Sequence, residues 1–100
     1  MKAVVAPDQL LAEAYALARK FVAGRSPVAV ALARQMLYRN AAQPHPLEAH
    51  RVDSLAMFYT SVGDGKEGVR SFLEKRAPDF AAKASADMPP FYADWAVEPR

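Results

Sequence analysis

The sequence predicts an all-α protein: about four short helices joined by short loops, followed by an extended tail rich in aromatic residues and proline. Apolar residues recur at helical spacing in four successive segments, and glycine and proline residues separate those segments. The one stretch with β character, Ala3 to Val5, is too short to form a sheet alone. We place the helical domain at residues 1–80 and the tail at residues 81–100.

The composition fits one globular domain. A chain of 100 residues is long enough for one hydrophobic core and too short for two, and an apolar fraction of 52% excludes a disordered segment. The net charge of +2 gives no strong attraction to nucleic acid or to an anionic membrane, and the most apolar stretch is too short to span a bilayer. The chain has no cysteine, which fits a cytoplasmic protein without disulfides.

The first two helices are delimited by residues that start or break helices. Pro7 and Asp8 precede the first helix, and Gly24 ends it. Ser26 and Pro27 supply the N-cap and the first-turn proline of the second helix. The predicted apolar faces are Leu10, Leu11, Ala14, Leu17, Ala18, Phe21 and Val22 in the first helix, and Ala29, Leu32, Ala33, Met36 and Leu37 in the second.

The third helix is predicted to begin at His45 and to end at Gly63. Asp64 and Glu67 then have the spacing of a capping pair that opens the fourth helix, which Pro78 stops. The predicted apolar faces are Val52, Leu55, Phe58, Tyr59 and Val62 in the third helix, and Val69, Phe72 and Leu73 in the fourth.

The tail contains three aromatic residues among prolines: Phe91, Tyr92 and Trp95. Large aromatic side chains gain more than most others from burial. We therefore expect these three to cover apolar surface that the helices leave exposed, in their own chain or in a neighbouring copy.

The run from Glu67 to Phe80, EGVRSFLEKRAPDF, is the most informative stretch of the sequence. It resembles the closing motif of the enoyl-CoA hydratase/isomerase (crotonase) superfamily, Glu-Gly-hydrophobic-x-x-Phe-x-Glu-Lys-Arg-x-Pro-x-Phe. The likeness extends over about residues 4–80, through the Val4-Val5 entry and the first two helices. The chain departs from the family pattern in the proline-rich loop at residues 41–46 and in its long aromatic tail.

The resemblance implies that this chain corresponds to the C-terminal helical region of a crotonase-type protein. In that family an α/β core, which these residues do not contain, supplies the oxyanion hole and the acidic residues that act on a coenzyme A thioester. We therefore expect no catalytic residue here and no activity of the chain alone. The parent is expected to be a hydratase (a lyase) or an isomerase of fatty acid metabolism, with no cofactor beyond its coenzyme A substrate.

The resemblance also implies partners and a ligand contact. Helical regions of this kind pack on the core, help to assemble trimers and cover the coenzyme A moiety. The matching coenzyme A contacts are Phe72 and Lys75, three positions apart, so that an aromatic face would meet the adenine and an ammonium a phosphate. The structural alternative is that Phe72 belongs to a core and that Lys75 complements the end of its helix.

Other patterns give weaker hypotheses. His45, Glu48, His50 and Asp53 lack the spacing of a zinc site, and His50, Asp53 and Ser54 are too close together on one helix to chain as a hydrolytic triad. The Gly63–Lys66 turn lacks the full spacing of a phosphate loop. Basic residues are dispersed among acids, which argues against nucleic-acid binding. The competing functional hypothesis is a stand-alone helical module that self-associates and has no acyl-CoA role.

Overall fold

The computed structural model describes residues 3–96, which fold into helices without any strand. The helices are α1 (Leu10–Val22), α2 (Pro27–Ala41), α3 (Leu47–Val62), α4 (Gly65–Glu74) and α5 (Tyr92–Trp95), and a short 3-10 turn at Pro7–Gln9 precedes α1. The all-α prediction with four main helices is therefore confirmed. The single-turn α5 inside the tail was not predicted, and the division of the chain at residue 80 stays a prediction.

The helix ends follow the predicted signals in most places. Ser26 caps α2, since its Oγ accepts a hydrogen bond of 3.3 Å from the backbone N–H of Ala29. Gly24 follows α1 with a φ of 67°, a left-handed conformation that glycine adopts without steric cost. The third helix begins two residues later than predicted, at Leu47, whose N–H donates to Nδ1 of His45 at 3.0 Å.

The core lies between α2, α3 and the tail. Val28, Leu32 and Ala56 are its buried apolar residues, and Leu32 is only 1% exposed. Partly buried residues pack around them: Met36, Ala82, Met88, Phe91, Tyr92 and Trp95. Much of the cover over this small core therefore comes from the tail.

The buried faces of α2 and α3 differ from the predicted ones. On α2 the buried positions are Val28, Leu32 and Gln35, whereas Leu37 is 76% exposed. On α3 Ala56 is buried, whereas Leu55, Phe58 and Val62 are exposed. Of the buried positions only Leu32 lay in a predicted face, and Val28, Gln35 and Ala56 did not. Burial depends on which side of each helix meets the other helix or the tail, and this differs from the side with the most apolar residues.

The tail aromatics lie against their own chain. The ring of Phe91 is 6.0 Å from that of Tyr59 on α3 and 5.7 Å from that of Trp95, and Tyr92 is 6.4 Å from Trp95. These are ordinary separations for interacting aromatic rings. Of the two locations that we expected for the tail aromatics, the structure has the one within the same chain.

Helix α1 contributes nothing to this core. All of its residues are exposed, including Leu11, Tyr15, Phe21 and Val22. Its closest packing is with the 3-10 turn at Pro7–Gln9. The predicted apolar stripe of α1 is therefore present on the helix and unpartnered within the described residues.

Candidate functional site

The C-terminal end of α4 closes with a left-handed residue. Lys75 has a φ of 52°, and its N–H donates to the carbonyl of Phe72 at 3.2 Å. The next N–H, that of Arg76, donates to the carbonyl of Ser71 at 3.0 Å. This pair of bonds is the Schellman motif, in which glycine usually holds the left-handed position. A lysine there costs roughly 1 kcal/mol relative to glycine, so other contacts must hold the turn.

Arg76 makes those contacts. Its guanidinium forms a two-pronged pair with Glu67, with Nη1 to Oε1 at 2.6 Å and Nη2 to Oε2 at 3.0 Å. Its Nε lies 2.5 Å from Oε2 of Glu74. Oε1 of Glu67 also accepts from the backbone N–H of Asp79 at 2.9 Å. One arginine thus joins the first turn of α4, its last residue and the chain that follows.

This arrangement shifts the pKa values of both partners. The hydrogen bond from Arg76, together with that from the Asp79 N–H, lowers the pKa of the Glu67 carboxyl from 4.5 to about 2. The same hydrogen bond to Glu67, with a second one to Glu74, raises the pKa of Arg76 above its ordinary value. Both groups are therefore charged over the whole physiological range.

Asp64 ties a second part of the tail to the helices. Its Oδ2 accepts from the hydroxyl of Ser26 at 2.5 Å, and its Oδ1 accepts from the N–H of Ala82 at 3.3 Å. The prediction that Asp64 and Glu67 form a capping pair for α4 is wrong, because Asp64 makes no cap hydrogen bond. Both carboxylates instead bind backbone N–H groups of the segment after α4, a role that local spacing does not reveal.

The two predicted coenzyme A contacts lie at this end of α4. Phe72 is 81% exposed, so it belongs to no core within the described residues. Lys75 lies just beyond the last helical residue, Glu74, and is also exposed. In the described part of the chain no ion pair engages Lys75, although Arg76 beside it has two. Ligand contact by Phe72 and Lys75 stays a prediction.

Exposed apolar side chains continue along α4 and α1. Val69 and Leu73 on α4 are 61% and 73% exposed, and Phe21 on α1 is 63% exposed. The accessible surface of the chain is 8118 Å². A compact monomer of 10.9 kDa is expected to expose roughly 5,600 Å². The Cα radius of gyration, 16.3 Å, likewise exceeds the value of about 13 Å expected for 100 residues.

The polar residues of α3 do not form a catalytic arrangement. Nδ1 of His50 lies 3.1 Å from Oδ1 of Asp53, and the hydroxyl of Ser54 donates to that same oxygen at 3.2 Å. The Ser54 hydroxyl also donates to the backbone carbonyl of His50 at 2.9 Å and does not contact the imidazole, so the three side chains do not form a serine–histidine–acid chain.

Two further features are absent from the described residues. Between residues 3 and 96 no three metal-ligating side chains come together as a metal site. No helix in that range has both the length and the apolar character needed to cross a membrane.

Three curated proteins match the sequence, all from Alternaria alternata. The enoyl-CoA hydratase AFT3-1 is 40% identical over 79 residues, and the enoyl-CoA hydratases AKT3-2 and ACTT3 are 42% and 40% identical over 72 residues. These matches cover 77%, 70% and 70% of this chain. The chain is related to the enoyl-CoA hydratase/isomerase (crotonase) superfamily. No protein-family model matches the sequence.

The relationship to the crotonase superfamily confirms the resemblance predicted from Glu67 to Phe80. The chain spans about a quarter of the length of these hydratases, 26% of the first and 23% of the other two. Within the crotonase-like signature, the sequence indicated Phe72 and Lys75 as candidate site residues, but it did not indicate the ion pair of Glu67 and Arg76. The nine-residue separation of that pair matches no helical contact rule, so only the tertiary turn at Lys75 could reveal it.

Proposed function

We propose that this chain is the C-terminal helical part of an enoyl-CoA hydratase family protein. It serves to dock on an α/β core, to assemble a homo-oligomer based on trimers, and to cover the coenzyme A moiety of the substrate. It does not catalyse the reaction by itself. The core supplies the oxyanion hole and the acids, and the relatives' names make a hydratase the favoured parent.

The surplus of exposed surface is the observation that supports this proposal most strongly. The chain exposes roughly 2,500 Å² more than a compact monomer of its mass, and its exposed large apolar side chains include those along α1 and α4. Stable protein interfaces bury about 1,200–2,000 Å² in total. The surplus is therefore large enough for contact with a core and with a neighbouring copy.

The coenzyme A role rests on the end of α4. Phe72 offers a flat apolar ring that is 81% exposed, and Lys75 offers an ammonium without an ion pair in the described residues. An adenine stacks on an aromatic face, and a phosphate accepts hydrogen bonds from an ammonium. The backbone N–H groups inside α4 do not form an oxyanion hole, because they are already bonded to carbonyls of their own helix.

Reconstitution tests the proposal. The segment of the hydratase AFT3-1 that matches this chain is deleted, and the remaining core is mixed with the purified chain. Hydration of crotonyl-CoA is then measured for the chain, the core and the mixture. We expect no turnover by the chain alone and a rise in turnover when it joins the core. Turnover by the chain alone, or a core that gains nothing from it, contradicts the proposal.

A matched pair of variants locates the docking surface. Leu73→Asp places a charge on the exposed face of α4, and Leu37→Asp places the same charge on α2, at positions that are 73% and 76% exposed. We expect the α4 variant to lose activation of the core and the α2 variant to keep it.

Sedimentation of the chain alone adds a second measurement. We expect the chain to self-associate through its unpartnered faces. A compact monomer that binds no hydrophobic dye would contradict the exposure of those faces.

A further inference from the structure

The two acidic residues near Lys75 both pair with Arg76 and not with the lysine. Two carboxylates, those of Glu67 and Glu74, lie at the same end of α4, and both are bound by the guanidinium of Arg76 at distances of 2.5 to 3.0 Å. Lys75 is adjacent in sequence to both Glu74 and Arg76, yet no ion pair within residues 3–96 involves it. Arg76 thus occupies the acids that would otherwise attract the lysine.

The same guanidinium fixes the backbone on both sides of Lys75. Before the lysine it binds the side chain of Glu74, and after the lysine its Nη1 also donates to the carbonyl of Ala77 at 3.2 Å. The N–H of Arg76 closes the Schellman turn onto Ser71 at 3.0 Å. A non-glycine residue in the left-handed region persists only where its surroundings enforce it, and here Arg76 supplies that enforcement.

We propose that Arg76, held by Glu67, is a positioning residue for phosphate binding by Lys75. Arg76 keeps Lys75 in the left-handed turn and keeps carboxylates away from its ammonium, so that the ammonium stays available to a phosphate of the coenzyme A substrate. This inference rests on the proposed function. It adds a role for two residues of the signature that make no contact with the ligand themselves.

The first test uses the free chain and needs no ligand. Nuclear magnetic resonance reports the backbone conformation of Lys75 through its chemical shifts. Arg76→Gln is expected to move those shifts away from left-handed values, whereas Arg51→Gln, which removes the exposed Arg51–Glu48 pair on α3, is expected to leave them unchanged. Left-handed shifts that persist in Arg76→Gln overturn the proposal.

The second test uses the chain reconstituted with the hydratase core and crotonyl-CoA. We expect Lys75→Ala to raise KM about tenfold with kcat unchanged, the loss of one charge-assisted contact. Arg76→Gln is expected to raise KM in the same way, and the double variant to be no worse than Lys75→Ala alone. Arg76→Lys keeps the charge but not the planar fork, so its KM should lie between those of the parent chain and Arg76→Gln.

The outcomes separate the two proposals. If Lys75→Ala leaves KM unchanged, the coenzyme A contact fails and the positioning role fails with it. If Lys75→Ala raises KM but Arg76→Gln does not, only the positioning role fails. Additive effects in the double variant, or a fall in kcat and in folded yield for Arg76→Gln, would show that Arg76 acts on the fold as a whole and would also overturn the positioning role.

Discussion

Glu67 and Arg76 lie nine positions apart and meet in a two-pronged ion pair with N···O distances of 2.6 and 3.0 Å. They meet because the left-handed turn at Lys75 sends the chain back along α4. Phe80 follows the same return path, and its ring lies 3.9 Å from where a side chain on Gly68 would begin. The nine-residue spacing of Glu67 and Arg76 therefore results from the tertiary turn at Lys75 and not from a shared helix face.

The ion pair predicts how stability depends on pH. The folded-state pKa of Glu67 is about 2, below its ordinary value of 4.5, so the pair stabilises the fold fully above pH 4.5 and loses that contribution as the pH falls through 2. Glu67→Gln removes the charge. We expect the difference in unfolding free energy between wild type and this variant to be constant above pH 4.5 and to shrink towards zero near pH 2.

Denaturant titrations at a series of pH values measure this difference. Glu48→Gln is the control, because Glu48 forms a longer pair, at 3.4 Å, with Arg51, whose side chain is 73% exposed. Its difference from wild type should be small and nearly independent of pH. A Glu67→Gln difference that is equally flat would show that the ion pair does not stabilise the fold.

Asp64 is predicted to hold the tail against the helices. Asp64→Ala removes the acceptors of the Ser26 hydroxyl and the Ala82 N–H, and Ser26 is only 8% exposed. Unpaired buried donors of this kind destabilise a fold by about 2 kcal/mol. The emission of Trp95, the one tryptophan of the chain, should shift to longer wavelength as the tail loosens.

The control for Asp64 is Asp8→Ala, at an exposed residue. It should change the unfolding free energy by no more than about 0.5 kcal/mol. If Asp64→Ala has an equally small effect and leaves the Trp95 emission unchanged, the tail is held by its aromatic residues alone.

Two leucines of α2 should respond very differently to truncation. Leu32 is 1% exposed in the small core, so Leu32→Ala should cost about 2–5 kcal/mol of unfolding free energy. Leu37 is 76% exposed, so the same change there should cost less than about 0.5 kcal/mol in a monomeric sample. Equal losses would mean that the face of α2 towards α3 is assigned incorrectly.

Alanine substitutions at two glycines of α4 should change the unfolding free energy in opposite directions. A Cβ at Gly65 would lie 2.7 Å from the backbone oxygen of Thr60, so Gly65→Ala should destabilise the chain by about 1–3 kcal/mol. A Cβ at Gly68 would have ordinary contacts with the Phe80 ring at 3.9 Å, so Gly68→Ala should gain about 0.5–1 kcal/mol from helix propensity. Thermal unfolding measures both, and a shared sign contradicts the described packing around α4.

The sequence predicted the helices well because their signals are local. Ser26 caps α2 as its position suggested, and periodicity located all four main helices. What is buried could not be predicted in the same way. Leu37 and Leu55 have the spacing of core residues, but whether a face is covered depends on which element lies against it, and helix periodicity contains no such information.

The acidic residues illustrate the same limit at the candidate site. Asp64 and Glu67 have the spacing of a capping pair, but each accepts a hydrogen bond from a backbone N–H of the chain after α4. Their partners are backbone N–H groups, which every residue carries and which the sequence therefore cannot single out. Phe72 and Lys75 were named from the family motif, and the exposure of both is a finding of the structure.

The most direct test of the docking proposal is hydrogen–deuterium exchange of the chain, alone and mixed with the hydratase core. If α1 and α4 are the docking surfaces, the amides of Leu10–Val22 and Gly65–Glu74 should exchange more slowly in the mixture, while the amides around Leu32 and Ala56 change little. Exchange in α1 and α4 that is the same with and without the core would contradict the account.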